Sequence, residues 1–338
     1  MLDTTLLLVI TVTALALIFD FINGFHDSAN AIATSVLTRA LSMRNAVLMA
    51  AALNFVGAVI WTGVATTIGK GIVDPSTVMG RSGQFIVLAA LIGAIVWNLI
   101  TWWLGLPSSS SHAIIGALIG AVIASGGVER LNGHGLAKIF LVLITSPMLG
   151  FAAGLIFMVL IMRILAEHSP SKLNRKFKIL QVFSAMSMAF SHGSNDAQKS
   201  MGIITMALVV ASRTHDATFA VPDWVKISCA AAMALGTAAG GWRIIRTVGR
   251  KIAGLQPVHG FASETAAAAV VLGATLLHAP VSTTHVISSS IMGVGAAKRL
   301  SSVRWGIVGQ IVLAWFMTLP VSAGLGAACY AVVHLIAT

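Results

Sequence analysis

Five long apolar runs decide what this chain can fold into. They span 6–21, 46–68, 85–104, 139–161 and 306–336, with few charges inside any of them. At 1.5 Å of rise per residue, a helix of about 20 apolar residues crosses a bilayer's hydrocarbon core. Hydrophobic residues make up 57% of the 338 positions and charged ones 9%, with a mean hydropathy of +0.93. Soluble domains carry about 25% charged residues, so lipid must be the solvent for much of this surface. The runs show no period-two alternation, which predicts an all-α polytopic membrane protein rather than a barrel. The last run exceeds one simple span and contains Pro320, so a tilt, a kink or an extension beyond the lipid is expected. Run 6–21 lacks a basic leader and leads straight into polar residues where a cleavage site would sit. It therefore reads as the first membrane helix and not a signal peptide. Cys229 and Cys329 form neither a disulfide framework nor a metal spacing and read as core residues.

The net charge of +11 does not collect on one face, which argues against nucleic acid as a partner. Basic residues fall into four short groups: Arg39 and Arg44; Arg163, Lys172, Arg175, Lys176 and Lys178; Arg243, Arg246, Arg250 and Lys251; Lys298, Arg299 and Arg304. The positive-inside rule puts these groups in the cytoplasm and both termini outside. Each half then crosses an odd number of times, so two similar halves would have opposite orientations. About ten crossings are expected in two inverted-topology repeats, with broken or re-entrant helices among them. The boundaries read as 1–166 for the first repeat, 167–178 for a basic cytoplasmic linker and 179–338 for the second repeat.

The halves also share polar motifs. Gly24-Phe25-His26-Asp27-Ser28-Ala29-Asn30 has its counterpart in Gly193-Ser194-Asn195-Asp196-Ala197-Gln198-Lys199. Pro107-Ser108-Ser109-Ser110-Ser111-His112 has its counterpart in Pro280-Val281-Ser282-Thr283-Thr284-His285. A third echo, 67–72 with 247–252, is weaker. Polar groups are costly in lipid and mark function. Each proline ends the preceding helix. The hydroxyls then precede a new helix start, whose free N–H groups and dipole favour anions. Helix capping alone would also account for one such serine run. The Asp motifs have the opposite preference: Asp27, Asp196, Asn30 and Asn195 offer oxygens to hard cations, and a membrane carboxylate also suits proton carriage. Gly24 and Gly193 would permit a broken backbone there. Anion-favouring and cation-favouring motifs together point to symport, because a cation beside a bare anion offsets its desolvation.

With these motifs quoted, the chain resembles the inorganic phosphate transporter (PiT) family, most of all its bacterial low-affinity phosphate permeases. The family pattern Gly-Ala-Asn-Asp-x-Ala-Asn-Ala is similar to residues 24–31 and 193–199. The resemblance implies an inner-membrane symporter importing inorganic phosphate by alternating access, assembled as a homodimer, with no enzymatic activity and no cofactor. It implies that Ser109, Ser110, Ser111, Asn195, Gln198, Lys199, Ser282, Thr283 and Thr284 bind phosphate. It implies that Asp27, Asn30, Asp196, Glu264 and His26 serve cation or proton coupling, with no dedicated metal site beyond a cation at Asp27, Asn30 and Asp196. Lys199 stands where the first copy has Asn30. An ammonium there would take a metal ion's charge role, contact phosphate or pair with Asp196, and it favours H⁺ over Na⁺ as the coupling ion. His26, replacing the family's Asn, is a further proton carrier. A sodium-coupled symporter, a permease for sulfate or another oxyanion, and a carrier of metal–phosphate complexes stay open. A channel or an intramembrane serine hydrolase is a weaker reading, since no Gly-x-Ser-x-Gly elbow is present.

Overall fold

The computed structural model describes residues 4–78, 80–167, 170–212, 219–240, 244 and 255–337. The basic group at 243–251 and the echo at 247–252 therefore fall outside the described residues, apart from Ile244. Among the described residues the fold is all-helical, with one isolated bridge between Val73 and Leu131. The first half holds α1 (Thr4–Leu37), α2 (Met43–Ile60), α3 (Gly63–Gly71), α4 (Arg81–Leu104), α5 (Ser110–Gly126) and α6 (Gly133–Ile164). The second holds α7 (Pro170–Ser212), α8 (Asp223–Ala239), α9 (Pro257–Leu276), α10 (Thr283–Lys298) and α11 (Trp305–Ala337). Five of these, α1, α2, α4, α6 and α11, are long and apolar enough to cross a membrane.

The helix ends follow local chemistry. The Ser42 hydroxyl accepts from Asn45 N at 3.3 Å and starts α2; the Asn132 side chain accepts from Gly135 N at 3.0 Å and starts α6. The run at 46–68 is not one span, because the chain breaks at Trp61–Thr62 between α2 and α3. The polar stretch at 167–178 contains the start of α7 at Pro170, where proline is tolerated because the first N–H groups have no helical partner.

The expected break at Gly24 and Gly193 does not occur. Both α1 and α7 run through their motifs as continuous helix. The glycines serve close approach instead. A Cβ on Gly24 would lie 2.3 Å from Met233 O of α8, and one on Gly193 would lie 2.2 Å from Asn54 O of α2. Small residues let membrane helices pack backbone to backbone. This seats α8 on α1 and α2 on α7, each at motif level. In the same crossed manner α11 packs on α5, and α6 on α10.

Because α1 and α7 are unbroken, their polar residues form stripes. Asp20, Asn23, Asp27, Asn30 and Thr34 recur at three- and four-residue steps along α1, and all are buried. On α7 the buried pair Gln181 and Ser184 is followed about two turns on by His192, Asn195 and Lys199, again at three- and four-residue steps. The two stripes meet at mid-length.

Candidate functional site

The breaks lie at the Pro motifs. Helix α5 starts at Ser110 and α10 at Thr283. Ser109 and Ser282 are the N-caps, accepting from His112 N at 3.1 Å and His285 N at 3.3 Å. The two starts are locked together. Ser111 Oγ donates to Val281 O at 2.9 Å. The rings of His112 and His285 lie 4.6 Å apart, and Trp315 stacks on His285 at 4.0 Å. Trp315 Nε1 in turn donates to Pro107 O at 3.1 Å, so one indole ties both motifs to α11.

The remaining hydroxyls turn to the motif carboxylates. Asp27 accepts from Ser110 Oγ at 2.9 Å and Thr284 Oγ1 at 3.2 Å, and His26 Nδ1 lies 2.7 Å from it. Asp196 accepts from Lys199 Nζ at 2.6 Å and Thr283 Oγ1 at 3.0 Å, with His192 Nε2 3.4 Å away. Asn30 Nδ2 donates to Thr284 Oγ1 at 2.9 Å and reaches Thr283 Oγ1 at 3.4 Å. Asp27, Asn30, Asp196, Lys199 and these hydroxyls are all at most 1% exposed. Ligating atoms of Asp27, His192 and Asp196 lie within 4.8 Å of one another, so the two halves' aspartates share one pocket. Oxygen and imidazole donors fit a cation there, but the Lys199 ammonium already supplies a positive charge to Asp196.

This arrangement can exchange partners. Two helix N-termini and neutral hydroxyls face inward, and the hydroxyls now donate to carboxylates. An oxyanion would draw the same donors to itself, and the carboxylates would then need a proton or cation in their place.

A model of the phosphate transporter family matches residues 23–326. The chain is 52% identical to a "probable low-affinity inorganic phosphate transporter" of Bacillus subtilis (strain 168), over 99% of each chain. It is 46% identical to a protein described in the same words from Rhizobium meliloti (strain 1021), over 98% of each. A solved structure described as the sodium-dependent phosphate transporter superposes with a TM-score of 0.88 at 28% identity, over 97% of this chain and 99% of that one. The chain belongs to the phosphate transporter family.

Within this family member, several residues expected as ligands hold the frame. The Gln198 Oε1 accepts from Val64 N at 2.8 Å and Ala65 N at 3.2 Å, capping α3, while Nε2 donates to Ser194 O at 2.5 Å. With both ends of the amide engaged, Gln198 holds α3 on α7. Asn195 positions as well, donating to Thr275 Oγ1 and Ala279 O at 3.1 Å and accepting from Val281 N at 3.3 Å. It fixes the turn that delivers Thr283 and Thr284. Ser109 and Ser282 use their hydroxyls as caps, and Ser111 uses its own on Val281.

Glu264 lies apart from the Asp27–Asp196 pocket. It accepts from Thr34 Oγ1, from Ser184 Oγ at 2.5 Å and from Gln181 Nε2 at 3.5 Å, with no His or Lys bonded to it among the described residues. Gln181 Oε1 accepts in turn from Thr38 Oγ1 at 2.7 Å. Thr34, Gln181 and Ser184 were not foreseen from sequence; the three- and four-residue steps of the stripes are the signal that would have found them.

Proposed function

We propose that this protein carries inorganic phosphate across the membrane by alternating access, coupled to protons. One observation carries the reading: two hydroxyl-bearing helix N-termini converge on two buried aspartates, one of which is held by a built-in ammonium. The relatives' printed descriptions supply the phosphate substrate. The structural relative is described as sodium-dependent; the proton reading here rests on Lys199. An ammonium at 2.6 Å from Asp196 fulfils the electrostatic role that a bound metal ion would otherwise have, and repels one from the same place.

The crossed packing supports two inverted repeats. If α1 corresponds to α7, α2 to α8, α4 to α9, α5 to α10 and α6 to α11, the main packing pairs between the halves have exchanged counterparts. The α1–α8 contact is matched by α7–α2, α5–α11 by α10–α6, and α4–α11 by α9–α6. In this reading 1–166 and 179–338 are the repeats, the region 167–178 is cytoplasmic, and transport is inward. Uptake of labelled phosphate by purified protein in liposomes tests it. Accumulation driven by an acid-outside gradient without Na⁺ is expected; a strict Na⁺ requirement with no pH response would sink the proton reading.

A further inference from the structure

The polar stripe of α1 continues past the pocket toward the helix's N-terminus, through Asn23 and Asp20. Both are fully buried, and among the described residues no hydrogen bond of ordinary geometry reaches either carboxylate oxygen of Asp20 or either amide atom of Asn23. The buried Ser200 hydroxyl of α7 and the Cys229 thiol of α8 are the donors nearest Asp20, and neither reaches it with ordinary hydrogen-bond geometry. Asn98 of α4 is a fourth case, fully buried with both amide atoms unpartnered. It lies one turn before Thr101, as Asn23 lies one turn before His26, and Thr101 Oγ1 and His26 Nε2 meet at 3.2 Å. These four side chains thus gather on one side of the pocket. The Glu264 group on the other side has its hydrogen bonds made. Few buried polar side chains in native proteins are left unpaired, and a donor-less ionised carboxylate in lipid is among the costliest.

Such a carboxylate needs either a metal cation or a proton. The charged and titratable groups facing Asp20 are Asp196 and Lys199 from α7 and the Cys229 thiol from α8; α4 contributes the neutral Asn98. A metal ion here would sit beside the Lys199 ammonium, two positive charges in one dry region. Protonation neutralises Asp20 and adds no second cation.

We propose that Asp20 carries the coupling proton. The assignment rests on the proton-coupled reading above. An ionised Asp20 competes with Asp196 for the Lys199 ammonium. A protonated Asp20 releases it, and Lys199 closes on Asp196 at 2.6 Å, which is the arrangement the structure has. The proton comes from solvent and forms one O–H bond on the carboxylate. That bond breaks when the proton leaves, and no other covalent bond changes. Proton occupancy thereby sets how strongly Lys199 holds Asp196, and through Asp196 the Thr283 hydroxyl.

Asp20→Asn in proteoliposomes tests this with two assays, accumulation driven by a pH gradient and phosphate–phosphate exchange without one. Accumulation should fall to the level of empty vesicles while exchange persists. Wild-type-like accumulation overturns the assignment, as does loss of both activities in a variant that remains monodisperse and binds phosphate. Asp20→Glu keeps an ionisable carboxyl on a longer arm and should accumulate phosphate with a displaced pH profile; an unchanged profile overturns the assignment too. A wild-type protein indifferent to the pH gradient refutes proton coupling itself, whereas a wild-type response shared by Asp20→Asn refutes only the role of Asp20.

Discussion

Lys199 is the residue at which the two motif copies differ most in consequence. It is fully buried and bonded to Asp196, while its first-copy counterpart Asn30 donates to Thr284. Replacing it removes one partner of a buried ion pair, a change that costs about 3–5 kcal/mol when nothing compensates. Lys199→Asn is therefore expected to lower thermal stability in detergent and to make phosphate uptake stimulated by Na⁺, which can fill the vacated charge role. Uptake that stays active and indifferent to Na⁺ would contradict that role. Asp27→Asn and Asp196→Asn should each abolish concentrative uptake, read as labelled phosphate retained in vesicles; near-normal uptake by both would remove them from the site. The carboxylates and hydroxyls were legible in the sequence because lipid makes each polar side chain conspicuous. Which of them face the pocket was not legible. Gln198 and Asn195 belong to the same motif as Asp196, but helical rotation turns them toward α3 and the Pro280 turn.

At the scale of elements, proline and glycine had different legibility. Pro107 and Pro280 disfavour helix at the residue before them, and each is followed by a run of capping hydroxyls, so the two starts at Ser110 and Thr283 could be expected from sequence; Pro147 and Pro320, without such a run after them, lie inside α6 and α11. Gly24 and Gly193 permit a break without requiring one, and the reason they are glycine is a neighbouring helix that sequence does not display. Gly24→Ala and Gly193→Ala would each force a Cβ against backbone, at about 1–3 kcal/mol. A drop in melting temperature is expected for both, and a variant as stable as wild type would deny the close approach. The part Trp315 plays in joining the two starts depends on α11 lying across α5, a contact between distant segments. Trp315→Ala should weaken phosphate binding more than it lowers stability, measured by titration calorimetry beside thermal unfolding.

For the whole molecule, the loop charges and the crossed packing both support the proposed arrangement of two oppositely oriented halves, with the Asp27–Asp196 pocket between them. With Cys229 and Cys329 replaced by Ala, a cysteine at Thr5 should react with an impermeant thiol reagent from outside intact cells. One at Lys178 should react only after the membrane is opened. Labelling of both from the same side would refute the opposite orientation of the halves. The helical class and the number of apolar spans were legible because burial in lipid acts on long runs of sequence. The length of α7 was not, because its mean hydropathy is diluted by the very residues that line the pocket. The central claim is that protons drive phosphate through this pocket. Labelled phosphate accumulation by purified protein in liposomes, with pH and Na⁺ gradients imposed separately, tests it most directly. Accumulation under an acid-outside gradient in the absence of Na⁺ is the expected result, and accumulation that appears only with a Na⁺ gradient would contradict it.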